Sequence, residues 1–122
     1  MKLFAKTHEW IEVAEDGTAT AGISQYAADE MKTLTYVELP EAGRKYSAGE
    51  SFGTVESMKA ASEIYSPATG TIAEANGLLE QSPEEVNKDA EGSGWICKYS
   101  EIDKASLEGL MSKEDYLKTV AK

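Results

Sequence analysis

The sequence predicts a small, mainly β protein: a sandwich or barrel of short strands with a short internal helix and a helical C-terminus. Short runs rich in β-branched and aromatic residues recur along most of the chain, divided by turn signals built on Gly, Pro and Asn. From about residue 103 the apolar residues are instead spaced three and four apart, as in helices. The 122 residues suit one domain. We expect a single domain over 1–122, with a β core over about 7–100 and a helical segment over about 103–121.

Turn and cap signals divide the chain into elements in order. An Asp-Gly pair at 16–17 predicts a hairpin turn between two strands, and Ser24 is expected to cap a short helix. Gly53, inside a strand pattern, predicts a bulge or the close approach of another backbone. A Ser-Pro pair at 82–83, with the serine as cap, predicts another helix start. The predicted strands lie within 9–23, 34–39, 52–55, 61–65, 71–75 and 95–99, and the predicted helices at 25–31, from 84 onward, 104–110 and 113–120.

Composition and charge exclude several classes of function. With 22 acidic and 12 basic residues the net charge is −10, so the protein repels phosphate backbones and nucleic-acid binding is not expected. The single cysteine, Cys97, cannot form an internal disulfide. With only one histidine, His8, far from it in the sequence, a zinc site is not expected either. No apolar run is long enough to span a membrane, and the start lacks a secretory or transit pattern. A soluble intracellular protein is therefore expected.

The common catalytic motifs are absent from the sequence. His8 is not accompanied by the nucleophile elbow or oxyanion glycines of a hydrolytic triad. Neither a dinucleotide-binding nor a P-loop glycine pattern occurs. Cys97, Trp10 and Trp95 lie in apolar strand patterns, where a core position is the simplest interpretation. These residues do not by themselves indicate an enzyme.

One lysine stands alone in an acidic stretch. Lys59 is the only basic residue between Tyr46 and Asn87 and lies in a tight connection between two predicted strands. A solvated surface lysine is the simplest interpretation. A carrier protein, however, needs such an amine, exposed on a rigid hairpin with small neighbours, and Glu56 offers a modifying enzyme a carboxylate to recognise. The acidic residues of this stretch are Glu50, Glu56, Glu63, Glu74, Glu80, Glu84 and Glu85.

The residues around Lys59 resemble a known modification site. The Glu-Ser-Met-Lys-Ala segment at 56–60 is similar to the modified-lysine hairpin of lipoyl and biotinyl carrier domains. A Thr-His-Glu-Trp segment near the start narrows the choice, because it resembles the H proteins of the glycine cleavage system. Further matches to those proteins follow in order and cover nearly the whole chain. The matching segments are 7–10, 22–23, 36–40, 59–67, 82–87 and 94–95.

This resemblance implies a fold and a function. The fold would be a lipoyl-type (barrel-sandwich hybrid) β-sandwich, and the protein a monomeric carrier subunit rather than an enzyme. Lys59 would bear lipoic acid in amide linkage, attached by lipoate-attaching enzymes. The arm would shuttle an aminomethyl group from a pyridoxal-phosphate glycine decarboxylase to an aminomethyltransferase, in glycine catabolism and one-carbon metabolism, and a dihydrolipoyl dehydrogenase would reoxidise it. The compartment would be the cytoplasm of a bacterium, or the mitochondrial matrix for a mature eukaryotic chain.

The resemblance also implies contacts for the loaded arm. In the family the arm rests in a surface cleft lined by polar groups, which correspond to Thr7, Glu9 and Glu63 in this sequence. A carboxylate beside a cationic amine forms a charge-assisted hydrogen bond. Glu56 is the expected recognition mark for the attaching enzyme. For Thr7 and Glu9 the alternative is a purely structural role at the edge of the hairpin.

The sequence departs from the family pattern in three places, one of which is Cys97, where the family usually has another apolar residue and packing is the expected role. Lys32 and Thr33 replace the usual Gly-Asp pair, so a flexible residue and a negative charge are lost and a positive charge is gained. If that surface docks a partner, docking is expected to differ. Met58 replaces the usual Val and makes a Met-Lys pair that biotinyl domains share. Those domains usually have a second Met in place of Ala60 and lack the His-Glu-Trp segment.

Three alternatives to a glycine-cleavage lipoyl carrier remain open from the residues. An H-like paralogue would serve lipoate relay or another pathway, a biotinyl carrier would use the same lysine, and an acidic interaction module would carry no modification. The change at 32–33 supports only the first of these. The mass added at Lys59 distinguishes a lipoyl carrier from a biotinyl carrier, and an interaction module would show no added mass.

Overall fold

A computed structural model describes residues 2–120, which form ten strands, four α-helices and one 3₁₀ helix. The strands are β1 (Lys2–Phe4), β2 (Glu9–Val13), β3 (Ala19–Ile23), β4 (Leu34–Glu38), β5 (Lys45–Tyr46), β6 (Ser51–Ser57), β7 (Ala61–Tyr65), β8 (Gly70–Ala75), β9 (Cys97–Ile102) and β10 (Met111–Ser112). The helices are α1 (Gln25–Met31), α2 (Leu78–Gln81), α3 (Glu84–Asp89) and α4 (Lys113–Val120), and the 3₁₀ helix is Lys104–Leu107. No helix within this described range is long and apolar enough to cross a membrane.

The strands form two antiparallel sheets that share a core. The larger sheet has the strand order β10-β1-β2-β3-β9-β8-β5, and the smaller sheet has the order β4-β6-β7. Buried side chains from both sheets pack in one cluster, including Ile11 and Ile72 from the larger sheet and Val55 and Ile64 from the smaller one. Burial of this apolar surface is the main stabilising contribution to the fold. The predicted mainly β sandwich with a short internal helix is confirmed.

The predicted hairpin turn and helix cap are both present. Gly17 takes φ +91° in the turn between β2 and β3, and Asp16 accepts a hydrogen bond from the backbone N–H of Thr18 at 3.0 Å. The Oγ of Ser24 accepts the backbone N–H of Ala27 at 3.1 Å, which satisfies one of the free N–H groups in the first turn of α1. Both local signals therefore set the boundaries of the elements they were expected to set.

The C-terminal segment differs from the prediction. Within the predicted helix 104–110 only Lys104–Leu107 is helical, because Gly109, at φ +89°, turns the chain into β10. β10 pairs with β1, and neither strand was predicted, since strands of two and three residues are held by their partners rather than by their own pattern. The helix predicted at 113–120 is confirmed as α4. The predicted end of the segment, at about residue 121, lies outside the described residues.

Smaller differences concern boundaries and short elements. β9 begins at Cys97 rather than at residue 95 and extends to Ile102. The predicted cap of α3 is wrong: Pro83 is the N-cap and the Ser82 side chain caps no N–H, although the Ser82 carbonyl accepts the N–H of Glu85 at 3.0 Å. β5 and α2, of two and four residues, were not predicted. Cys97 is buried, as expected, and burial raises the pKa of its thiol.

Gly53 occupies the close approach that the sequence predicts. The pairing of β6 with β7 shifts register between Ser51 and Gly53, which is the expected bulge. The backbone carbonyl of Glu38, in β4, lies where a side chain at Gly53 would project. A larger residue would therefore push β4 away from β6, the strand that leads to Lys59.

We expect Gly53→Ala to destabilise the fold by about 2 kcal/mol, because its Cβ would meet rigid backbone rather than a movable side chain. Urea unfolding measures the change in the free energy of unfolding. Gly77→Ala is the matched control, since no atom lies within 4 Å of a Cβ at Gly77 and its φ of −59° suits alanine. Equal stabilities of the two variants would contradict the close approach.

Candidate functional site

Lys59 lies at the tip of the β6–β7 hairpin. The backbone N–H of Ser57 donates to the carbonyl of Ala60 at 2.8 Å, so Met58 and Lys59 form the tip between the two strands. Met58 is 88% exposed, and Lys59 is also exposed. Among residues 2–120 no carboxylate lies within 4.0 Å of the Lys59 amine. The amine is therefore open to a modifying enzyme.

The hairpin gives this lysine a rigid support. β6 is the central strand of the smaller sheet and pairs with β4 on one side and with β7 on the other. Val55 of β6 and Ile64 of β7 are buried in the common core. Neighbouring strands hold β6 on both sides, and the core holds its buried side chains. A group attached to Lys59 would therefore move while the backbone of the hairpin stays in place.

A cleft of about 270 Å³ opens between α1, the residues around the start of β2, and β7. The structure brings together here the three residues that the sequence analysis connected with an arm, Thr7, Glu9 and Glu63. Both apolar and acidic side chains line the cleft. The lining residues are Thr7, His8, Glu9, Ile23, Tyr26, Ala27, Glu30, Met31, Val55, Ser62, Glu63 and Ile64.

Glu9 is a buried acid in the wall of this cleft. Its carboxylate accepts hydrogen bonds from the Thr7 hydroxyl and, at 3.1 Å, from the backbone N–H of Tyr65. Only 1% of Glu9 is exposed, and no basic group of residues 2–120 lies within 4.0 Å of its carboxylate. Burial raises the pKa of Glu9 to about 7 and outweighs these hydrogen bonds, which lower it. Glu9 therefore titrates near neutral pH.

The other two predicted carboxylates lie nearer to solvent. Glu63 is exposed on β7 and accepts a hydrogen bond from the hydroxyl of Tyr65 at 3.3 Å. The charge of Glu63 raises the pKa of Tyr65. Glu56 is exposed on β6 opposite Ala61, close to the hairpin tip, and does not line the cleft. The position of Glu56 suits contact with another protein rather than with the cleft.

Helix α1 supplies a wall of the cleft that the sequence analysis did not identify. Tyr26 and Glu30 are one helical turn apart, as are Ala27 and Met31, so the two pairs share a face of the helix. This spacing is visible in the sequence, but an apolar helical stripe normally predicts packing against a core. Only the placement of α1 beside β2 and β7 shows that its stripe borders an open cleft.

A groove of about 300 Å³ lies between the cleft and the hairpin tip. Met31 lines both cavities, so they adjoin at its side chain. A chain attached at Lys59 would have a path over Met31 toward Glu9 and Glu63. The groove is lined by Met31, Lys32, Thr33, Ser57, Met58 and Lys59.

Lys32, in this groove, has a backbone conformation that favours glycine. Its φ is +65° and its ψ is −162°, a region in which residues with a Cβ are strained. The side chain of Asn87 holds this turn, because it donates to the Lys32 carbonyl at 2.7 Å and accepts the Leu34 N–H at 2.9 Å. A glycine at this position, which the resemblance leads one to expect, would adopt the observed backbone without strain.

A hairpin that presents an amine to solvent from a small two-sheet fold is the architecture of carrier domains. In such domains the group attached to the lysine moves between partners while the protein backbone stays fixed. The fold and the site together place this chain in that class of protein.

Comparisons with known proteins narrow the class to one family. A family model described as glycine cleavage H-protein matches residues 2–122. The chain is 48% identical to the mitochondrial glycine cleavage system H protein of Saccharomyces cerevisiae, over 96% of this chain and 71% of that one. It is 43% identical to the H protein of Thermotoga maritima, over 95% and 93% of the two chains. The crystal structure of an H protein from Mycobacterium marinum superposes with a TM-score of 0.86 at 32% identity, covering 97% of this chain and 94% of that one.

The chain belongs to the glycine cleavage H-protein family. It is a carrier subunit and not a catalyst. The family that the sequence motifs predicted is confirmed, and so is the lipoyl-type β-sandwich.

We expect Lys32→Gly to stabilise the protein by about 1 kcal/mol, because glycine adopts the observed φ and ψ without strain, although it also gains freedom in the unfolded chain. Lys32→Ala is the control, since it removes the charge and keeps the strained Cβ. Urea unfolding of both variants gives the comparison. If Lys32→Ala raises the free energy of unfolding as much as Lys32→Gly does, the stabilisation comes from removal of the charge and the backbone of Lys32 is not strained.

The raised pKa of Glu9 predicts how stability depends on pH. In the unfolded chain Glu9 loses its proton above the ordinary glutamate pKa, whereas in the folded protein it keeps the proton up to a higher pH. The stabilisation that this difference gives is therefore fully present below the ordinary glutamate pKa. It is then lost as the pH rises through about 7. Glutamine can accept the Tyr65 N–H through Oε1 and donate to the Thr7 hydroxyl through Nε2, and it does not titrate. We therefore expect the stability of Glu9→Gln relative to the natural protein to increase by about 1–3 kcal/mol between pH 5 and pH 8.

Denaturant unfolding at the two pH values measures this difference. The matched control is Glu63→Gln, a substitution at an exposed position of the same cleft, whose effect should stay within about 0.5 kcal/mol at both pH values. Parallel pH profiles for Glu9→Gln and the natural protein would show that the buried acid does not control the pH dependence.

Proposed function

We propose that Lys59 carries lipoic acid in amide linkage and that the protein shuttles an aminomethyl group between enzymes of the glycine cleavage system. The observation that carries the proposal is the exposed Lys59 amine at the tip of the β6–β7 hairpin, beside a cleft that contains carboxylates. Membership of the H-protein family supports the same assignment.

The residues around Lys59 fit an acylated lysine. Ser57 and Ala60, on either side of the tip, are small and leave the amine accessible. Amide formation removes the charge of the amine, so the arm would lie in the groove without burying a cation. Glu63 is four residues beyond Lys59, a displacement of about 13 Å along an extended strand. That displacement is comparable with the length of a lysine side chain extended by a medium-length acyl chain.

The chain's own residues would support the arm and bind its cationic cargo. The lipoyl dithiolane supplies the redox and group-carrying chemistry when it is bound, and the protein supplies position. Met31 and Val55 offer apolar contact along the path from the tip to the cleft. Glu63 offers a carboxylate at the exposed side of the cleft.

Glu9 would provide the stronger attraction for that cargo. Its carboxylate is shielded from water, and electrostatic attraction increases where the effective dielectric constant is low. The Thr7 hydroxyl, which donates to this carboxylate, would hold it in place. A cation beside Glu9 favours the ionised carboxylate and lowers its pKa, so seating the cargo near neutral pH would release a proton.

The partners would meet the protein at the hairpin tip. We propose Glu56 as a recognition mark for lipoate-attaching enzymes, because its carboxylate is exposed beside the tip. Glycine decarboxylase, aminomethyltransferase and dihydrolipoyl dehydrogenase would use the arm of a monomeric carrier. The net charge of −10 favours encounters with basic surfaces on these enzymes. Lys32, in the groove beside the tip, is where docking would differ from the family pattern.

The compartment would follow the host. We propose the cytoplasm for a bacterial chain and the mitochondrial matrix for a mature eukaryotic chain. The similar protein of Saccharomyces cerevisiae is described as mitochondrial. Localisation of a tagged chain in its own host would decide between the two compartments.

Incubation with lipoate, ATP and a lipoate ligase should add the mass of one lipoyl group to the natural protein and none to Lys59→Arg. Arginine keeps the charge, but its guanidinium is a poor acyl acceptor. Because Lys59 is exposed at the tip, the melting temperature of the variant should change by no more than about 3 °C. Intact-mass spectrometry and thermal melting measure the two effects.

Other outcomes would favour other functions. A mass gain equal to biotin would make the chain a biotinyl carrier, and no gain with either ligase would make it an unmodified interaction module. A large loss of thermal stability in Lys59→Arg would make Lys59 a structural residue. The lipoylated protein should support glycine–bicarbonate exchange with its partner enzymes. No exchange would indicate a paralogue that serves another pathway.

A further inference from the structure

The buried hydroxyl of Tyr116 connects the C-terminal helix to two residues beside the cleft. Tyr116, on α4, is 1% exposed, and its ring stacks on Phe4 with the ring centroids 4.8 Å apart. Its hydroxyl oxygen lies 2.6 Å from Nδ1 of His8 and 2.7 Å from Oγ of Ser24. One hydroxyl near the end of the chain therefore contacts both the loop before β2 and the start of α1.

Both contacts of this hydroxyl affect the shape of the cleft. His8 lines the cleft, and Ser24 caps α1, whose residues Tyr26 and Glu30 line it as well. The backbone N–H of Ser24 also donates to the carbonyl of His8 at 2.7 Å. His8 takes φ +82°, which is uncommon for a residue other than glycine and has to be held by surrounding contacts. Tyr116 supplies one such contact to the imidazole.

The hydrogen bonds around Tyr116 can form a chain in which each hydroxyl has both a donor and an acceptor. The Ala27 N–H donates to Oγ of Ser24, so the Ser24 hydroxyl is free to donate to Tyr116, and the Tyr116 hydroxyl to Nδ1 of His8. Neutral His8 then carries its proton on Nε2. Protonated His8 would have to donate from Nδ1 to the Tyr116 hydroxyl, which would then donate to Oγ of Ser24. The Ser24 hydroxyl would then have no acceptor among these groups.

We propose that Tyr116 is a positioning residue that shapes the arm cleft by holding His8 and the start of α1 together. The inference rests on the proposed function, in which the cleft receives the arm. Removing the hydroxyl would leave Nδ1 of half-buried His8 without its donor and the hydroxyl hydrogen of buried Ser24 without its acceptor, and both groups would move to find other partners. The C-terminal helix thereby contributes to the carrier site through one buried group.

His8 reports on this chain of hydrogen bonds because it is the only histidine in the sequence. Burial lowers its pKa. Its imidazole ring also contacts the ring of Tyr26, with the centroids 5.4 Å apart. The titratable groups that contact His8 or share the cleft with it are Tyr116 of α4, Tyr26 and Glu30 of α1, Glu9 of β2, and Glu63 of β7. Substitution of Tyr116 leaves these other titratable groups unchanged. A change in the pKa of His8 in the variant is therefore due to the lost hydroxyl.

The variant Tyr116→Phe keeps the ring beside Phe4 and removes only the hydroxyl. We expect the pKa of His8, followed by NMR on the imidazole signals of the unmodified protein, to rise, because the hydroxyl that donates to the neutral ring is lost while the burial that lowers this pKa remains. Tyr36→Phe, at a tyrosine that is 51% exposed, is the matched control and should leave the His8 titration unchanged. An unchanged His8 pKa in Tyr116→Phe would overturn the inference.

Docking of the arm provides a second measurement. A small alkylating reagent reacts with the reduced arm of the lipoylated protein when the arm leaves the cleft, so the alkylation rate measures how often it leaves. Cys97 does not compete for the reagent, because it is buried. With a cationic cargo on the arm we expect about fivefold faster alkylation in Tyr116→Phe, the effect of losing one hydrogen bond. Equal rates in the variant and the natural protein would overturn the inference.

The two measurements also separate this inference from the proposed function. If the natural protein takes up no lipoyl group, the proposed function fails, and the His8 titration of the unmodified protein still decides whether Tyr116 holds His8. If Tyr116→Phe does not fold, the ¹⁵N shifts of the His8 imidazole in the natural protein decide instead. A ring protonated on Nε2 supports a hydrogen bond from Tyr116 to Nδ1, and a ring protonated on Nδ1 would overturn the inference.

Discussion

The carboxyl group of Glu9 joins the two sheets of this protein. Glu9 begins β2 in the larger sheet, and its carboxylate accepts the backbone N–H of Tyr65, at 3.1 Å, from β7 in the smaller sheet. The Thr7 hydroxyl donates to the same carboxylate. Because β7 is half of the hairpin that carries Lys59, this contact fixes the lysine-bearing sheet against the loop and helix on the other side of the cleft. The shape of the cleft depends on it.

An acid at this junction destabilises the fold above neutral pH. Burial raises the pKa of Glu9 to about 7, so ionising it in the folded protein costs free energy that an amide in the same place would not require. A glutamine could accept the Tyr65 N–H through its oxygen and donate to the Thr7 hydroxyl through its nitrogen. What the carboxyl group adds is a negative charge, with which the proposed cationic cargo would pair.

Much of the fold was predictable because its signals are local. The positive φ of Gly17 and the cap at Ser24 each depend on the residue itself or on its near neighbours in the chain. β1 and β10 were not predictable, since strands of three and two residues are stabilised by pairing between opposite ends of the chain. The second half of the helix predicted at 104–110 is instead a turn, which leads the chain into β10.

For the site, the sequence by itself determined that Lys59 stands on a hairpin between two strands, with Glu56 and Glu63 close to it in the chain. Thr7 and Glu9 were predicted through the resemblance alone, and only the tertiary structure brings them into one cleft with Glu63. The α1 wall, the path over Met31 and the contacts of Tyr116 likewise emerged only from the folded chain. These groups are distant in sequence and meet because both sheets bury their apolar faces in one core, and no local preference encodes such a meeting.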